Sequence, residues 1–322
     1  MVDFFRRRFR WRHLLIVAVA VGLVVTAFSS AAPSPKSTAT ATPSSTPSST
    51  PTPPSTGGPC AGKAPPAGGY EHVIWILEEN EAQATINASN MPYMTQLAAS
   101  CGKTTNLTAV MHPSLPNYIA MTSGGTHGVT NDDAPSHWTS VIGNAENIFH
   151  QLGTDWKSLQ DGMQSDCALT SGGTSYAVKH NPAAYYSDNR TACSTQDTPY
   201  DSSQTPDVSK AFTFITPNLC NDAHDCSLQT ADDWLKIVVP KILSSSTYKT
   251  GATLLVITFD EGVSSNQTIY TTIVAPSVIP GTASTRAYTH YSTLRVAEEL
   301  LGLPPIGAAS TAPSWTHDFH LG

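Results

Sequence analysis

No apolar run in this 322-residue sequence reaches the roughly 20 residues that a membrane-spanning helix needs. The best candidate, Leu14 to Phe28, follows five arginines and gives way to small residues around Ala31 and Ala32. That is the order of a secretory leader. Export with cleavage is the first reading of residues 1–32, and an uncleaved membrane anchor is the second. No cysteine follows the run, which argues against a lipid-anchored lipoprotein. No C-x-x-C pair exists, which argues against a zinc cluster. No internal repeat is present. Basic residues are scarce beyond the leader: setting residues 1–32 aside removes five Arg and one Asp and leaves 12 Lys+Arg against 23 Asp+Glu, a formal charge of −11. Such a surface repels polyanions and disfavours nucleic acid as a partner.

Residues 33–59 are rich in Pro, Ser and Thr, with no aromatics and no apolar periodicity. They bury too little surface to offset chain entropy and read as a disordered linker. Residues 60–322 are long enough for one large domain with its own core. All six cysteines lie there: Cys60, Cys101, Cys167, Cys193, Cys220 and Cys226. In an oxidising compartment an even count suggests three disulfides. Several pairings are open; proximity favours 60–101, 167–193 and 220–226.

Within the domain, short β-branched runs alternate with helical spacing. "HVIWIL", "FTFITP", "TLLVITF" and "IYTTIVAP" read as strands. "MPYMTQLAASCG", "SLPNYIAMTSG", "NIFHQLG", "TADDWLKIVVPKILSS" (with its threonine as cap) and "YSTLRVAEELLGLP" read as helices. The alternation predicts an α/β fold, a mostly parallel central sheet with helices on both faces. The polar stretch Met163–Pro206 reads as loops inserted over the sheet's edge.

Three of the strands run straight into polar clusters. "HVIWIL" meets Glu78, Glu79 and Asn80. "FTFITP" meets "NLCNDAHDC". "TLLVITF" meets Asp260 and Glu261. In open α/β sheets, sites form beyond the carboxyl ends of the strands. One acid after a strand is an ordinary solvated loop residue; three clusters of metal-ligand type together point to a site. "MHPSLPNYIAMTSGGTHGVTND" (Met111–Asp132) adds Ser114 at a helix start and Asn117 on the same face one turn on. Ser114 is a helix cap or an anion-binding nucleophile, and both roles suit one position. His112 and His127 read as loop histidines.

The ordered set "LEEN", "HPSLPNYIAMTSG", "HNP", "PNLCNDAHDC", "FDEG" and "YTHYSTLRVAEELLGLP" resembles the bacterial phosphoesterase family that contains acid phosphatases and phospholipases C, within the alkaline phosphatase superfamily. "SLPNY" and "THGV" are also similar to the "TFPNH" and "SHGI" of nucleotide pyrophosphatases. The resemblance covers about His72 to Pro304 and implies an alkaline phosphatase-like fold. It implies Ser114 as nucleophile, forming a phosphoseryl intermediate, with Asn117 donating to a phosphoryl oxygen. It matches Glu79, Asn80, Ser114, Asp260 and Glu261 to the family's metal-ligand positions. It makes His180, His224 and His290 candidates for phosphate binding or leaving-group protonation, with Asp222 and Asp225 orienting His224. His180 reads equally as a hydrogen-bonded loop residue. Oxygen-rich ligands suit Mg, Ca or Mn better than zinc; Glu261 stands where wider relatives carry histidine.

The function so implied is a secreted, metal-dependent phosphoesterase, first an acid phosphatase acting on phosphomonoesters. A phospholipase C or other phosphodiesterase is the alternative within the class, and a catalytically inactive, surface-tethered binding domain the alternative outside it. The expected partner is a small-molecule or lipid phosphoester, with membrane contact only through an uncleaved N-terminal segment. The expected location is outside the cytoplasm, on the membrane or cell wall if the anchor is retained. The sequence leaves the oligomeric state open.

Overall fold

The computed structural model describes residues 58–322 apart from Thr174 and Ser264, so the expected leader and nearly all of the linker lie outside the described residues. Apolar strands form the middle of one sheet. In chain order the strands are β1 (His72–Glu78), β2 (Gly102–Thr108), β3 (Trp156–Asp161), β4 (Asp197–Tyr200), β5 (Phe212–Thr216), β6 (Thr253–Phe259), β7 (Thr268–Val274), β8 (Thr282–Ser284) and β9 (Tyr288–Thr289). They lie in the order β4-β3-β5-β1-β6-β7-β2-β8, with β9 also beside β2. Every pairing is parallel except the two made by β7. β5 and β6 are buried along their whole length, as strands covered on both faces are.

The helices are α1 (Pro92–Ser100), α2 (Ser114–Ser123), α3 (Pro135–Ile142), α4 (Ile148–Leu152), α5 (Arg190–Gln196), α6 (Leu228–Ser244), α7 (Ser246–Lys249) and α8 (His290–Leu300). α6 starts earlier than its sequence suggests. Ser227 is the cap, accepting from the Thr230 N–H, and Asp232 instead caps α1 across the fold, accepting from the N–H groups of Tyr93 and Met94 at 2.8 Å each. Among the described residues no helix is long and apolar enough to cross a membrane.

The stretch 163–206 differs from the expected set of loops. It carries α5 and three short 3-10 turns, and β4 extends the sheet beside β3. β4 reads "DTPY" and β2 reads "GKTTNLT"; both lack the apolar runs that mark the central strands. Disulfides join Cys60–Cys101, Cys167–Cys193 and Cys220–Cys226.

Candidate active site

Register places the first wall of the site. β1 lies between β5 and β6, and Glu78 is opposite Phe259. The residues that follow, Glu79–Asn80 and Asp260–Glu261, therefore emerge side by side. The ladder continues past the strand ends: Asp260 N donates to Glu78 O (3.0 Å), and Glu79 N donates to Asp222 O in the loop after β5 (2.7 Å). Asp260 Oδ1 accepts from the N–H groups of Asn80 (3.1 Å) and Glu261 (2.6 Å). Asn80 takes a positive φ of 52°, a conformation Asn tolerates better than most residues.

α2 brings the nucleophile candidate to that wall. Ser114 is its first residue, 1% exposed, and its hydroxyl donates to Glu79 Oε2 at 3.2 Å. One turn on, the Tyr118 hydroxyl donates to Glu79 Oε1, and the Tyr118 ring stacks on His180 with centroids 5.4 Å apart. Asn117 differs from expectation. Its Oδ1 accepts from the N–H groups of Val110 and Met111, and its Nδ2 donates to Met111 O and Pro113 O. Both ends of the amide hold the segment leading into Ser114, so its donors are spent on Met111 O and Pro113 O rather than left for a phosphoryl oxygen. The helix start is also less free than expected, because Leu115 N already donates to Asp132 Oδ1 at 3.0 Å.

The second wall comes from loops. Asp132 Oδ2 accepts from Lys179 Nζ (3.1 Å), and that ammonium lies 3.2 Å from His224 Nε2. His180 sits between Glu79 (Nε2–Oε2, 3.2 Å) and Asp222 (Nδ1–Oδ2, 3.4 Å). Asp225 orients His224 (Oδ1–Nδ1, 2.7 Å), as expected, and Asp222 Oδ1 accepts from the His224 backbone N–H.

Of the three other histidines singled out in the sequence, His112 and His290 depart from expectation and His127 does not. His112 is no ordinary loop residue: Nδ1 lies 2.7 Å from Glu261 Oε2, at the exposed mouth. His127 points away, to the Ser123 hydroxyl. His290, a catalytic candidate, is fully buried with Nε2 on the Asp260 backbone carbonyl. Burial lowers its pKa to about 4. Its Nε2 braces the end of β6, while its Nδ1 is buried without a hydrogen-bond partner among the described residues. Sequence reasoning thus missed Tyr118, Asp132, Lys179 and His112 as parts of the site. The available signal was Lys179, the one basic side chain between Lys157 and Arg190 apart from its neighbour His180.

The electrostatics call for positive charge. Burial first, then Asp260 and Asp222, pushes the Glu79 carboxyl well above the usual carboxylate range. Burial likewise lifts Asp222 to about 8 and Asp260 to about 6, and burial with Asp260 lifts Glu261 to about 8. The Ser114 hydroxyl donates to Glu79 and lies among the carboxyls of Asp260 and Glu261. One hydroxyl facing three carboxylates has its ionisation opposed, unless a cation joins them. The residues fit one. Asn80 Oδ1 and Asp260 Oδ2 are buried without a hydrogen-bond partner among the described residues, and His180 Nε2 and Asp222 Oδ2 have only their ion-pair contacts, at 3.2 and 3.4 Å. Ligand atoms of Glu79, His180 and His224 lie within 4.8 Å of one another, and burial holds the His180 imidazole neutral, well below its usual pKa. A second group, Cys167, Cys193 and Asp197, offers no thiolate because both sulfurs are in a disulfide.

Comparison with known proteins decides the family, since a profile described as the Phosphoesterase family matches residues 75–304. The chain belongs to the Phosphoesterase family. Membership makes it a phosphoric ester hydrolase with a metal-associated site. This phosphoesterase is 31% identical to a phosphatidylinositol-3-phosphatase of Mycobacterium tuberculosis, over 77% of this chain and 82% of that protein. It is 29% identical to a phosphate-repressible acid phosphatase of Penicillium chrysogenum, over 73% of this chain and 59% of that one. It spans little more than half the length of the acid phosphatases it matches. In fold it is similar to an alkaline phosphatase superfamily protein from Vibrio parahaemolyticus (TM-score 0.52, 12% identity, 78% of this chain and 72% of that). It is also similar to the lipoteichoic acid synthase LtaP from Listeria monocytogenes (TM-score 0.53, 11% identity, 75% and 76%).

Proposed function

We propose that this chain is an extracytoplasmic phosphatase that hydrolyses phosphomonoesters through a phosphoseryl intermediate on Ser114. The observation that carries the reading is the placement of Ser114, a buried hydroxyl at a helix start bonded to a carboxylate of raised pKa. Ser114 Oγ attacks phosphorus while its proton passes to Glu79 Oε2. The bond to the leaving alcohol breaks, and that oxygen takes a proton from the half-buried His224 imidazole. Water then attacks phosphorus, gives its proton to His224, and Ser114 recovers its own from Glu79 as inorganic phosphate departs. Asn80, Asp260 and Glu261, beside Ser114 and Glu79, would hold a divalent cation. When bound, it supplies the positive charge that lowers the serine pKa and offsets the phosphoryl oxygens. The oxygen set favours Mg, Ca or Mn; the imidazoles of His180 and His224 would favour zinc, but His224 Nε2 already meets Lys179. Three disulfides support an oxidising compartment.

The mycobacterial relative supports a second reading, in which the monoester is carried by a lipid headgroup. Turnover of p-nitrophenyl phosphate and bis-p-nitrophenyl phosphate, with and without EDTA, tests the proposal. Metal-dependent cleavage of the monoester is expected. Cleavage of the diester alone moves the chain to the phosphodiesterases, and cleavage of neither leaves a binding domain.

A further inference from the structure

The acidic site has one nearby ammonium. Lys179 is four-fifths buried, and Nζ reaches Asp132 Oδ2 at 3.1 Å and His224 Nε2 at 3.2 Å. Among the described residues it is the cation that acts on all of Glu79, Asp222, Asp260 and Glu261. Lys157, Lys241 and Arg190 face backbone carbonyls, Arg286 faces Asp318, Arg295 faces Glu299, and Lys103 lies over the Tyr270 ring.

We propose that Lys179 selects phosphate dianions over monoanions, and that Asp132 parks its ammonium beside the nucleophile until phosphate arrives. The inference rests on the phosphomonoesterase reading and names what distinguishes that substrate.

Three features carry it. First, Asp132 joins two things that phosphate needs: it accepts from Leu115 N, next to Ser114, and from Lys179 Nζ. The ammonium is thereby anchored to the start of the nucleophile helix. Second, the hydrogen-bond network leaves it a free donor. An ammonium carries three N–H donors, and the polar neighbours of Lys179 Nζ are Asp132 Oδ2 and His224 Nε2. At least one N–H is left for a ligand oxygen. Third, the rest of the site is wrong for an anion. Four buried carboxylates repel phosphate, and a single metal ion offsets part of that charge. A monoester dianion differs from a diester by one negative charge on its non-bridging oxygens. A compact ammonium next to the reacting phosphorus rewards that charge directly.

Calorimetry on the full chain with inorganic phosphate and with dimethyl phosphate reads the selection without turnover. Lys179→Met should weaken inorganic phosphate roughly 50-fold or more and dimethyl phosphate by less than about threefold, the scale of one charge-assisted hydrogen bond lost. Lys179→Arg, which keeps the charge, should recover most of the difference. Asp132→Asn keeps an acceptor for Leu115 N but releases the ammonium, and should tighten inorganic phosphate several-fold. Equal weakening of both ligands in Lys179→Met, no weakening of either, or an arginine variant no better than methionine would overturn the inference. Failure of the wild-type chain to hydrolyse any phosphoester while these binding differences hold would count against the enzymatic reading alone.

Discussion

The two walls of the site are held by different means. Glu79, Asn80, Asp260 and Glu261 continue buried strands, and the sheet's own hydrogen bonds run on into them. Lys179, His180, Asp222 and His224 sit on segments with little regular structure. Those segments depend on clasps: the Cys220–Cys226 disulfide, the Asp225–His224 contact, the Asn181 amide on Asp197 (2.7 Å), and the Thr216 hydroxyl on the His180 carbonyl (3.1 Å). A strand end is fixed by many cooperating bonds, so changing one side chain there alters chemistry and leaves geometry. A loop is fixed by few, so a change behind it alters geometry before chemistry. Substitutions on each wall test that distinction.

Ser114, where the walls meet, gives the largest effect. Ser114→Ala should lower kcat by roughly 10⁴-fold or more, as loss of a covalent nucleophile does, while circular dichroism and Tm stay close to the parent. Near-normal turnover would remove the assignment. On the strand wall, Asp260→Asn keeps the acceptor for Asn80 N and Glu261 N but removes the charge. Turnover should fall at least about a hundredfold together with metal content by elemental analysis, at unchanged or raised Tm, because a buried charge is lost. Full metal occupancy in this variant would put the ion between the walls, among Glu79, His180 and His224.

The strand wall was legible in the sequence, and on the loop wall His180, Asp222 and His224 were too, whereas Lys179 was not. Apolar runs mark β1, β5 and β6, and acids that follow such runs announce themselves. Tyr118 hides inside a helix whose pattern is explained by packing alone. Lys179 and His112 matter because of partners 47 and 149 residues away, Asp132 and Glu261, and no local periodicity records such a pairing. His290 misled for the converse reason: a polar residue at a helix start suggests chemistry, yet its ring is fully buried against a carbonyl. β2 and β4 were missed because their residues are threonine-rich or polar rather than an apolar run.

The loop wall's disulfide should show its character. Ala223, between Asp222 and His224, takes φ 77°, a region that costs a non-glycine residue on the order of 1 kcal/mol or more. Closing so short a loop gains only about 2 kcal/mol from chain entropy. Replacing Cys220 and Cys226 together by serine should therefore let Ala223 relax and His224 wander. Turnover should drop up to roughly a hundredfold, since displacement by about 1 Å suffices for that, with only a small change in Tm. A large loss of Tm with normal turnover per folded molecule would make the bridge a scaffold element.

The smallest effect on turnover belongs to Asp197, which holds the loop wall from behind. Its carboxyl is fully buried, bonded to Asn181 Nδ2, with Tyr176 sharing that amide. Burial raises its pKa from 3.8 to about 7, against the lowering by Asn181, Ser158 and Arg190, with Asp166 adding a small push upward. The folded state thus favours the protonated acid. Its contribution to stability is fully present below the unfolded pKa of 3.8 and is lost as pH rises through the folded value of about 7. Asp197→Asn keeps an acceptor for Asn181 and cannot ionise. Its Tm should match the parent near pH 4 and exceed it by a few degrees near pH 8, where the parent buries a charge. Turnover should change by less than about threefold, because Asn181 remains held and His180 stays in place. A parent that gains on the variant as pH rises would mean that Arg190 stabilises the carboxylate more than burial opposes it. The clasp behind the loop wall would then be an ion pair rather than a neutral hydrogen bond.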